Sequence, residues 1–285
     1  MPDYWLSHDV ILREISIKFE LETKSPLRIG AGKGSILSPL DLPVLTIRIG
    51  ESNLPYIPGS SLKGVIRSAA ESISKSLGLN SCPGGNECNR KYGKNLDYYI
   101  RSGFPREKII EDVLSKYCLT CKLFGSASFF SHVLVEDMYP VGIPSRGVKT
   151  GIAIERRSGS VRRGALYTVE YVNPGSKFEG SIVMRNTPNY CIGLISMVID
   201  QINNGLIRIG GFKTRGFGKV FLRPIEMSGI SVEDGSVVEL KELDKLSGLD
   251  DLDEEISFEK GNPADLLEKS KEVFLNYARK ATSKS

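Results

Sequence analysis

Two cysteine pairs, Cys82-x5-Cys88 and Cys118-x2-Cys121, stand 30 residues apart. Four thiolates from two short clusters can close a tetrahedron around zinc, with no coordination position left open. Such a metal holds a segment together and leaves the chemistry to other residues. A free CxxC beside unrelated cysteines, or two disulfides in a hyperthermophile, is compatible with the same spacing. A second group of residues is basic. Pro58-Gly59-Ser60-Ser61 opens a helix whose first turn offers hydroxyls and backbone N–H groups, with Lys63 and Arg67 one turn apart on its polar face. That is the chemistry of a phosphate cradle, although a Ser-capped helix with solvated bases has the same sequence. The run 210–218 places four glycines, Lys213, Arg215, Phe212 and Phe217 in nine residues. Glycines such as Gly211 let backbone approach a ligand, the bases supply charge, and the rings either stack on bases or pack in the core. Gly30 to Gly34, flanked by Arg28 and containing Lys33, lacks the ending of a P-loop and the GxGxxG spacing.

The elements that must position these groups are of both kinds. Ile15, Ile17, Phe19 and Leu21 alternate with Ser16, Lys18, Glu20 and Glu22, the period-two pattern of a strand with one buried face. Leu62, Val65, Ile66, Ala69, Ala70, Ile73 and Leu77 share a helix face, as do Ile192, Ile195, Ile199 and Ile202 before Asn203-Asn204-Gly205. With strands near Val133 and Phe178 and beyond Leu206, the economical order is β-α-β-β-α-β, an α+β, ferredoxin-like (RRM-like) palm. Two insertions interrupt it. Residues 78–125 hold the cysteines. Residues 145–166 hold Arg146, Lys149, Arg156, Arg157, Arg162 and Arg163 against the single acid Glu155, and read as a basic hairpin. The domain so defined covers 1–230. An acidic linker and a C-terminal helix, started by Asn262-Pro263, fill 231–285.

Length and composition exclude disorder and fibres: 285 residues, 40% hydrophobic and 25% charged. The formal net charge of +4 conceals an uneven distribution. Residues 231–260 carry eleven acids and three bases, residues 261–285 three acids and five bases, and the rest thirty bases and twenty acids. A core of net +10 suits a polyanionic partner. No apolar run reaches the length of a membrane span and no secretory h-region is present, so a cytoplasmic protein is expected. Histidine offers little for acid–base catalysis. His8 precedes the first strand, and His132 sits in an apolar run where a structural role is expected. Cys191 reads as a small core residue.

Leu27-Arg28-Ile29-Gly30, the segment Leu54 to Arg67, the turn Leu123-Phe124-Gly125 and the glycine-rich loop together resemble the RAMP superfamily of CRISPR-associated proteins. More narrowly, Gly151-Ile152-Ala153-Ile154-Glu155-Arg156 leading into Gly164-Ala165-Leu166-Tyr167 looks like the thumb hairpin of the backbone subunit of type III (Csm/Cmr-like) effector complexes. The likeness spans roughly residues 10 to 224. It implies a palm that polymerises along CRISPR RNA beside other CRISPR-associated subunits, with the thumb crossing the guide–target duplex. It also implies cleavage of target RNA with Mg²⁺ or Mn²⁺ and an aspartate in the loop after the glycine segment. Asp41, in Pro39-Leu40-Asp41-Leu42-Pro43-Val44, matches that aspartate; by itself it would read as a turn residue before Leu-Pro. Lys63, Arg67, Lys213 and Arg215 are then the expected phosphate contacts, and Arg156, Arg157, Arg162 and Arg163 the duplex contacts. A non-catalytic scaffold of the same complex and a free-standing zinc-stabilised RNA-binding module are the competing readings.

Overall fold

The computed structural model describes residues 8, 10–31, 40–82, 87–105, 107–109, 116–127, 130–230, 237–243 and 252–283, without the side chains of 96, 162–165, 230, 237 and 238. Its elements run in the order β1 (Glu14–Thr23), β2 (Thr46–Ile49), β3 (Ser52–Pro55), α1 (Gly59–Ser76), α2 (Glu87–Arg101), α3 (Leu119–Phe124), β4 (Val133–Val135) and β5 (Tyr139–Pro140). There follow β6 (Arg146–Ile154), β7 (Val161–Val172), β8 (Lys177–Arg185), α4 (Asn189–Asn203), β9 (Val220–Ile230), β10 (Val237–Leu240), β11 (Ile256–Glu259) and α5 (Pro263–Ser283). The chain is an α+β protein.

The central sheet has the strand order β4-β8-β1-β9, every pair antiparallel, with β5 added against β8. Alternation dictates its faces. Ile15, Ile17, Phe19 and Leu21 of β1 are buried, as are Phe178, Ile182 and Met184 of β8, because successive strand side chains point to opposite sides. On the other side, charge is paired with charge: Lys18 with Glu179 at 2.7 Å, Arg223 with Glu20 at 2.7 Å, and Arg185 with Glu14 at 2.6 Å. That face presents chiefly ion pairs. Helices α1 and α4 cover the apolar face through Leu62, Ile66, Ala70 and Ile73 and through Ile192, Ile195, Ile199 and Ile202.

Helix α4 is buried on its second face too. Leu194 and Val198, off the stripe seen in sequence, are fully inaccessible, because α5 packs along that side. A Cβ at Gly193 would lie 2.0 Å from the Ser270 carbonyl oxygen, so only glycine lets the two helices approach this closely. Tyr190 stacks on Tyr277 with ring centroids 3.9 Å apart, the Ser196 hydroxyl donates to the Leu267 carbonyl at 2.6 Å, and Lys271 pairs with Asp200 at 2.7 Å. The described part of the acidic C-terminal region therefore belongs to the main core, which includes Leu240, Leu252, Phe258 and Phe274.

Asp253 explains how that region is fastened. Its carboxylate is buried and accepts the backbone N–H groups of Asn189 and Tyr190 at 3.0 Å each and of Leu243 at 3.1 Å. A negative group at the first turn of α4 also complements the helix dipole. Burial pushes its pKa up, against the pull of the three N–H groups. Asp253→Ala leaves three buried donors without an acceptor, each costing about 1–3 kcal/mol. Urea unfolding of that variant is expected to show a loss of about 3 kcal/mol or more, with partial recovery in Asp253→Asn; a wild-type midpoint would contradict the role given to Asp253.

Candidate functional site

Strands β6 and β7 form a separate antiparallel hairpin, paired from Arg146↔Val172 to Ile154↔Val161. Its tip turns at 155–160, where Glu155 N–H donates to the Ser160 carbonyl at 2.9 Å. Arg156, Arg157 and Lys149 are exposed on it, while the Arg162 and Arg163 side chains lie outside the described residues. Arg146 is engaged at the base, by Glu170 at 3.5 Å and by the Asn53 carbonyl. The outer edge of β7 is not left open at that end. Leu27 bridges Val172, and Leu42 bridges Val169 in the parallel sense.

This second pairing delivers Asp41. Leu42 N–H donates to the Thr168 carbonyl at 3.1 Å and Glu170 N–H donates to the Leu42 carbonyl at 3.1 Å. Val44 N–H donates to the buried Glu170 carboxylate at 2.9 Å. With its neighbours fixed in this way, Asp41 Oδ2 accepts the backbone N–H of Thr168 at 2.7 Å and the Thr168 hydroxyl at 2.9 Å. The two bonds from Thr168, backbone first, hold the Asp41 carboxyl below the usual carboxylate range. The side chain is an exposed, ionised carboxylate whose second oxygen has no hydrogen-bond partner among the described residues. Thr168 and Glu170 were missed by sequence reasoning. Thr168 is 127 residues from Asp41, and no local pattern announces such a pair.

The glycine-rich loop closes over the same corner. Gly211 N–H donates to the Arg28 carbonyl at 2.9 Å and Gly218 N–H to the Pro26 carbonyl at 2.9 Å. A Cβ at Gly210, where φ is +80°, would lie 2.3 Å from the Arg28 carbonyl oxygen, so both left-handed backbone and close approach demand glycine there. The Arg28 side chain is buried against this loop, with its guanidinium 5.7 Å from the Phe212 ring centroid, and burial lowers its pKa. Arg215 lies 5.3 Å from the same centroid and donates to the Tyr167 hydroxyl at 2.8 Å. Lys213 is exposed, and Lys33 lies outside the described residues. The loop thus brings Arg28, Gly211, Lys213 and Arg215 to the base of the hairpin beside the strand that holds Asp41.

Helix α1 opens nearby in sequence but engages other partners. Gly59 N–H donates to Asp137 Oδ1 at 2.7 Å, Ser60 is exposed and Ser61 half-buried. Lys63 is half-buried, and burial, then the neighbouring Arg67, lowers its pKa. Arg67 reaches into the protein: to Glu71 at 3.1 Å, to the Gly125 carbonyl at 3.1 Å and to Cys121 Sγ at 3.6 Å. It fastens the helix to the cysteine cluster. His132 is buried, with Nδ1 2.9 Å from the Arg185 carbonyl oxygen, and burial pulls its pKa down to about 4. A neutral, enclosed ring fits the structural role expected of it.

Cys82, Cys88, Cys118 and Cys121 converge from two segments, the second entering α3. All four are buried and unbonded to one another as disulfides, and their Sγ atoms lie within 4.8 Å of one another. The Cys88 N–H and Cys118 N–H groups point at sulfur, donating to Cys82 Sγ at 3.2 Å and to Cys88 Sγ at 3.3 Å. Hydrogen bonding from Cys121 draws Cys118 toward the thiolate, with a pKa of about 4, while burial pushes Cys88 up to about 12. A tetrahedron of sulfurs about 2.3 Å from a central ion has edges of about 3.8 Å, so the cluster has the size and donor set to hold a metal ion.

Comparison with known proteins places the chain in context. A family model described as the RAMP superfamily matches residues 20–220. The "CRISPR system Cms endoribonuclease Csm3" of Methanocaldococcus jannaschii is 27% identical over 273 residues, covering 90% of this chain and 96% of that protein. The protein of the same name from Mycobacterium tuberculosis is 26% identical over 251 residues, covering 79% and 94% respectively. No described helix is long and apolar enough to cross a membrane.

The cysteine geometry yields a direct test. Purified chain is expected to carry one tightly held metal ion per molecule by elemental analysis, and Cys121→Ser to lose both the ion and several degrees of thermal midpoint. A wild-type chain free of metal, with four titratable thiols at full stability, would contradict it.

Proposed function

This chain belongs to the RAMP superfamily, and from that membership we propose that it is a CRISPR RNA-binding backbone subunit of a type III interference complex that cuts guide-paired target RNA. The observation that carries the reading is the Asp41 carboxylate, ionised and held on Thr168 at the foot of the hairpin. That two relatives are named endoribonucleases supports it. In this reading the β1-α1-β4-β8-α4-β9 unit is a ferredoxin-like palm and the β6–β7 hairpin a thumb. The sheet's outer face, covered by ion pairs, is not the RNA platform. RNA follows the basic corner instead, where Arg28, Gly211, Lys213 and Arg215 meet the hairpin, and Lys33 is a further contact in this reading. Ser60, Ser61 and Lys63 take phosphate at the start of α1, Arg67 positions that helix, and Arg156, Arg157, Arg162 and Arg163 contact the duplex. Further copies of the chain and other CRISPR-associated subunits complete the assembly.

The chemistry asked of the protein is modest. RNA brings its own nucleophile: the 2′-hydroxyl oxygen attacks the adjacent phosphorus, the bond to the 5′-oxygen breaks, and a 2′,3′-cyclic phosphate and a 5′-hydroxyl result. The 2′-hydroxyl gives up its proton and the leaving oxygen gains one from water. The hairpin and the glycine-rich loop distort the strand toward in-line geometry, the principal contribution a binding surface can make. Asp41 is placed to orient the 2′-hydroxyl or a water. Its second oxygen, without a hydrogen-bond partner among the described residues, also suits a water-mediated Mg²⁺ or Mn²⁺, which when bound stabilises charge on the phosphate. The four-cysteine cluster is the structural zinc site of the insertion, separate from this chemistry, as its closed and buried thiol set suggests.

In the assembled complex, Asp41→Ala is expected to reduce target cleavage by at least about 100-fold at unchanged guide binding, and EDTA to abolish cleavage by the parent protein. Thr168→Val, which removes the hydroxyl that donates to Asp41 Oδ2 and accepts the Asp41 N–H but keeps the Thr168 backbone bond, should produce an intermediate loss of about tenfold. Parental cutting rates in Asp41→Ala would overturn the catalytic assignment and leave a scaffold subunit.

A further inference from the structure

The groove between the hairpin and the glycine-rich loop has features that phosphate binding does not use. It encloses about 390 Å³ and is lined in part by Lys149, Gly151, Ile152, Tyr167, Phe212 and Arg215, a size within the range of about 300–1,000 Å³ typical of small-molecule sites. The rings of Tyr167 and Phe212 stand nearly parallel, 20° apart, with centroids separated by 6.5 Å. Two aromatic rings with one base between them need about twice the ~3.4 Å rise of stacked bases. The centroid separation, which includes any lateral offset of the rings, is close to that spacing.

Both rings are placed by unusual backbone. Tyr167 pairs across the hairpin with Gly151, and a Cβ on that glycine would lie 2.2 Å from Tyr167 Cζ. Only glycine lets the tyrosine ring lie flat over the neighbouring strand. Phe212 has φ +57°, in the left-handed region, among three glycines at positions 210, 216 and 218 with φ of +80°, +88° and +84°. A bulky residue is a genuine outlier there, where glycine would be strain-free. Such strain persists where the side chain has a use. Phe212 packs against Phe217 with centroids 5.7 Å apart and the rings tilted by 44°, yet remains half-exposed. Its face already attracts planar cations, with Arg215 at 5.3 Å.

We propose that this groove is a nucleobase site: one unpaired base of a bound RNA strand enters between Tyr167 and Phe212, and the exposed Arg215 moves from the Tyr167 hydroxyl to the edge of the base or its phosphate. The proposal deepens the RNA-binding reading above and rests on it. Tyr167 adjoins Thr168, the residue holding Asp41, so a base anchored here fixes the strand beside the carboxylate. Recognition through ring faces is indifferent to base identity, whereas removal of the base altogether abolishes it.

The test compares the full-length protein's affinity for a short oligouridine and for a matched strand of abasic ribose phosphates, by fluorescence anisotropy over a range of salt. The parent chain is expected to bind the base-bearing strand about tenfold tighter. Phe212→Gly, which also relieves the backbone, and Tyr167→Leu should bring that ratio close to one, while Tyr167→Phe keeps it. Gly151→Val, which removes neither ring but displaces Tyr167, should lower it as well. Affinity for the abasic strand and its salt slope should be unchanged in all four, because no phosphate contact is lost. Salt-dependent binding with a ratio near one in the parent, or a ratio preserved in both Phe212→Gly and Tyr167→Leu, overturns the base site alone. Absence of salt-dependent binding to either strand overturns the RNA-binding reading together with it.

Discussion

The outer edge of β7 is the constraint on which the site depends. A two-stranded hairpin is marginal by itself, and this one exposes Val148, Ile152, Ile154 and Leu166 to solvent. It is anchored because β7 continues into the protein, where Leu27 and Leu42 add to its free edge. The same backbone bonds that anchor the hairpin bring Arg28, Asp41 and Glu170 to one place. Glu170 is the pivot: it takes the Val44 N–H on one oxygen and faces Arg146 with the other. A buried carboxylate is tolerated there because both oxygens have partners. The role proposed for Asp41 and the anchoring of the hairpin depend on the same register of this strand, since shifting it by one residue would exchange Thr168 for a neighbour on the opposite face.

That dependence also shows which parts of the protein were legible in the sequence. The alternation of β1 and the apolar stripes of α1 and α4 are local patterns, and each emerged as read. The paired cysteines were legible because ligand chemistry imposes spacing within each pair, and only the closure of the two pairs onto one another needed three dimensions. Thr168 and Tyr167 were not legible. They lie in an alternating strand like any other, and their importance comes from Asp41 and Phe212, which are distant in the chain. The clue for Tyr167 was its cross-strand glycine, and that clue becomes readable only once the hairpin register is known.

Arg67 illustrates the opposite difficulty. Its helical spacing from Lys63 is that of a phosphate cradle, and the spacing is real. What sequence could not supply was the position of Cys121 and the Gly125 carbonyl, which engage the guanidinium from a segment 54 residues away. An arginine with five donors in a rigid fork is well suited to join a helix, a carbonyl and a sulfur at once. The consequence is mechanical. An ion held by these cysteines, as proposed, would through Arg67 also steady the helix that carries Ser60, Ser61 and Lys63, the phosphate contacts of the proposed reading.

Charge follows the same architecture. The described C-terminal residues pack into the core through α5 against α4, so the described acids of 237–243 and 252–260 belong to the fold. Asp253 is one of them, and it is consumed internally by three N–H groups. Glu254 is likewise engaged, by Lys280 and by Asn276 at 3.0 Å. The net +10 of the remaining chain is therefore offset by an acidic segment in which the carboxylates of Asp253 and Glu254 already have partners inside the protein. The hairpin and the glycine-rich loop, by contrast, present Lys149, Arg156, Arg157, Lys213 and Arg215 to solvent. Exposed bases gathered at one corner attract any polyanion to that corner, most strongly at low ionic strength where the screening length is greatest.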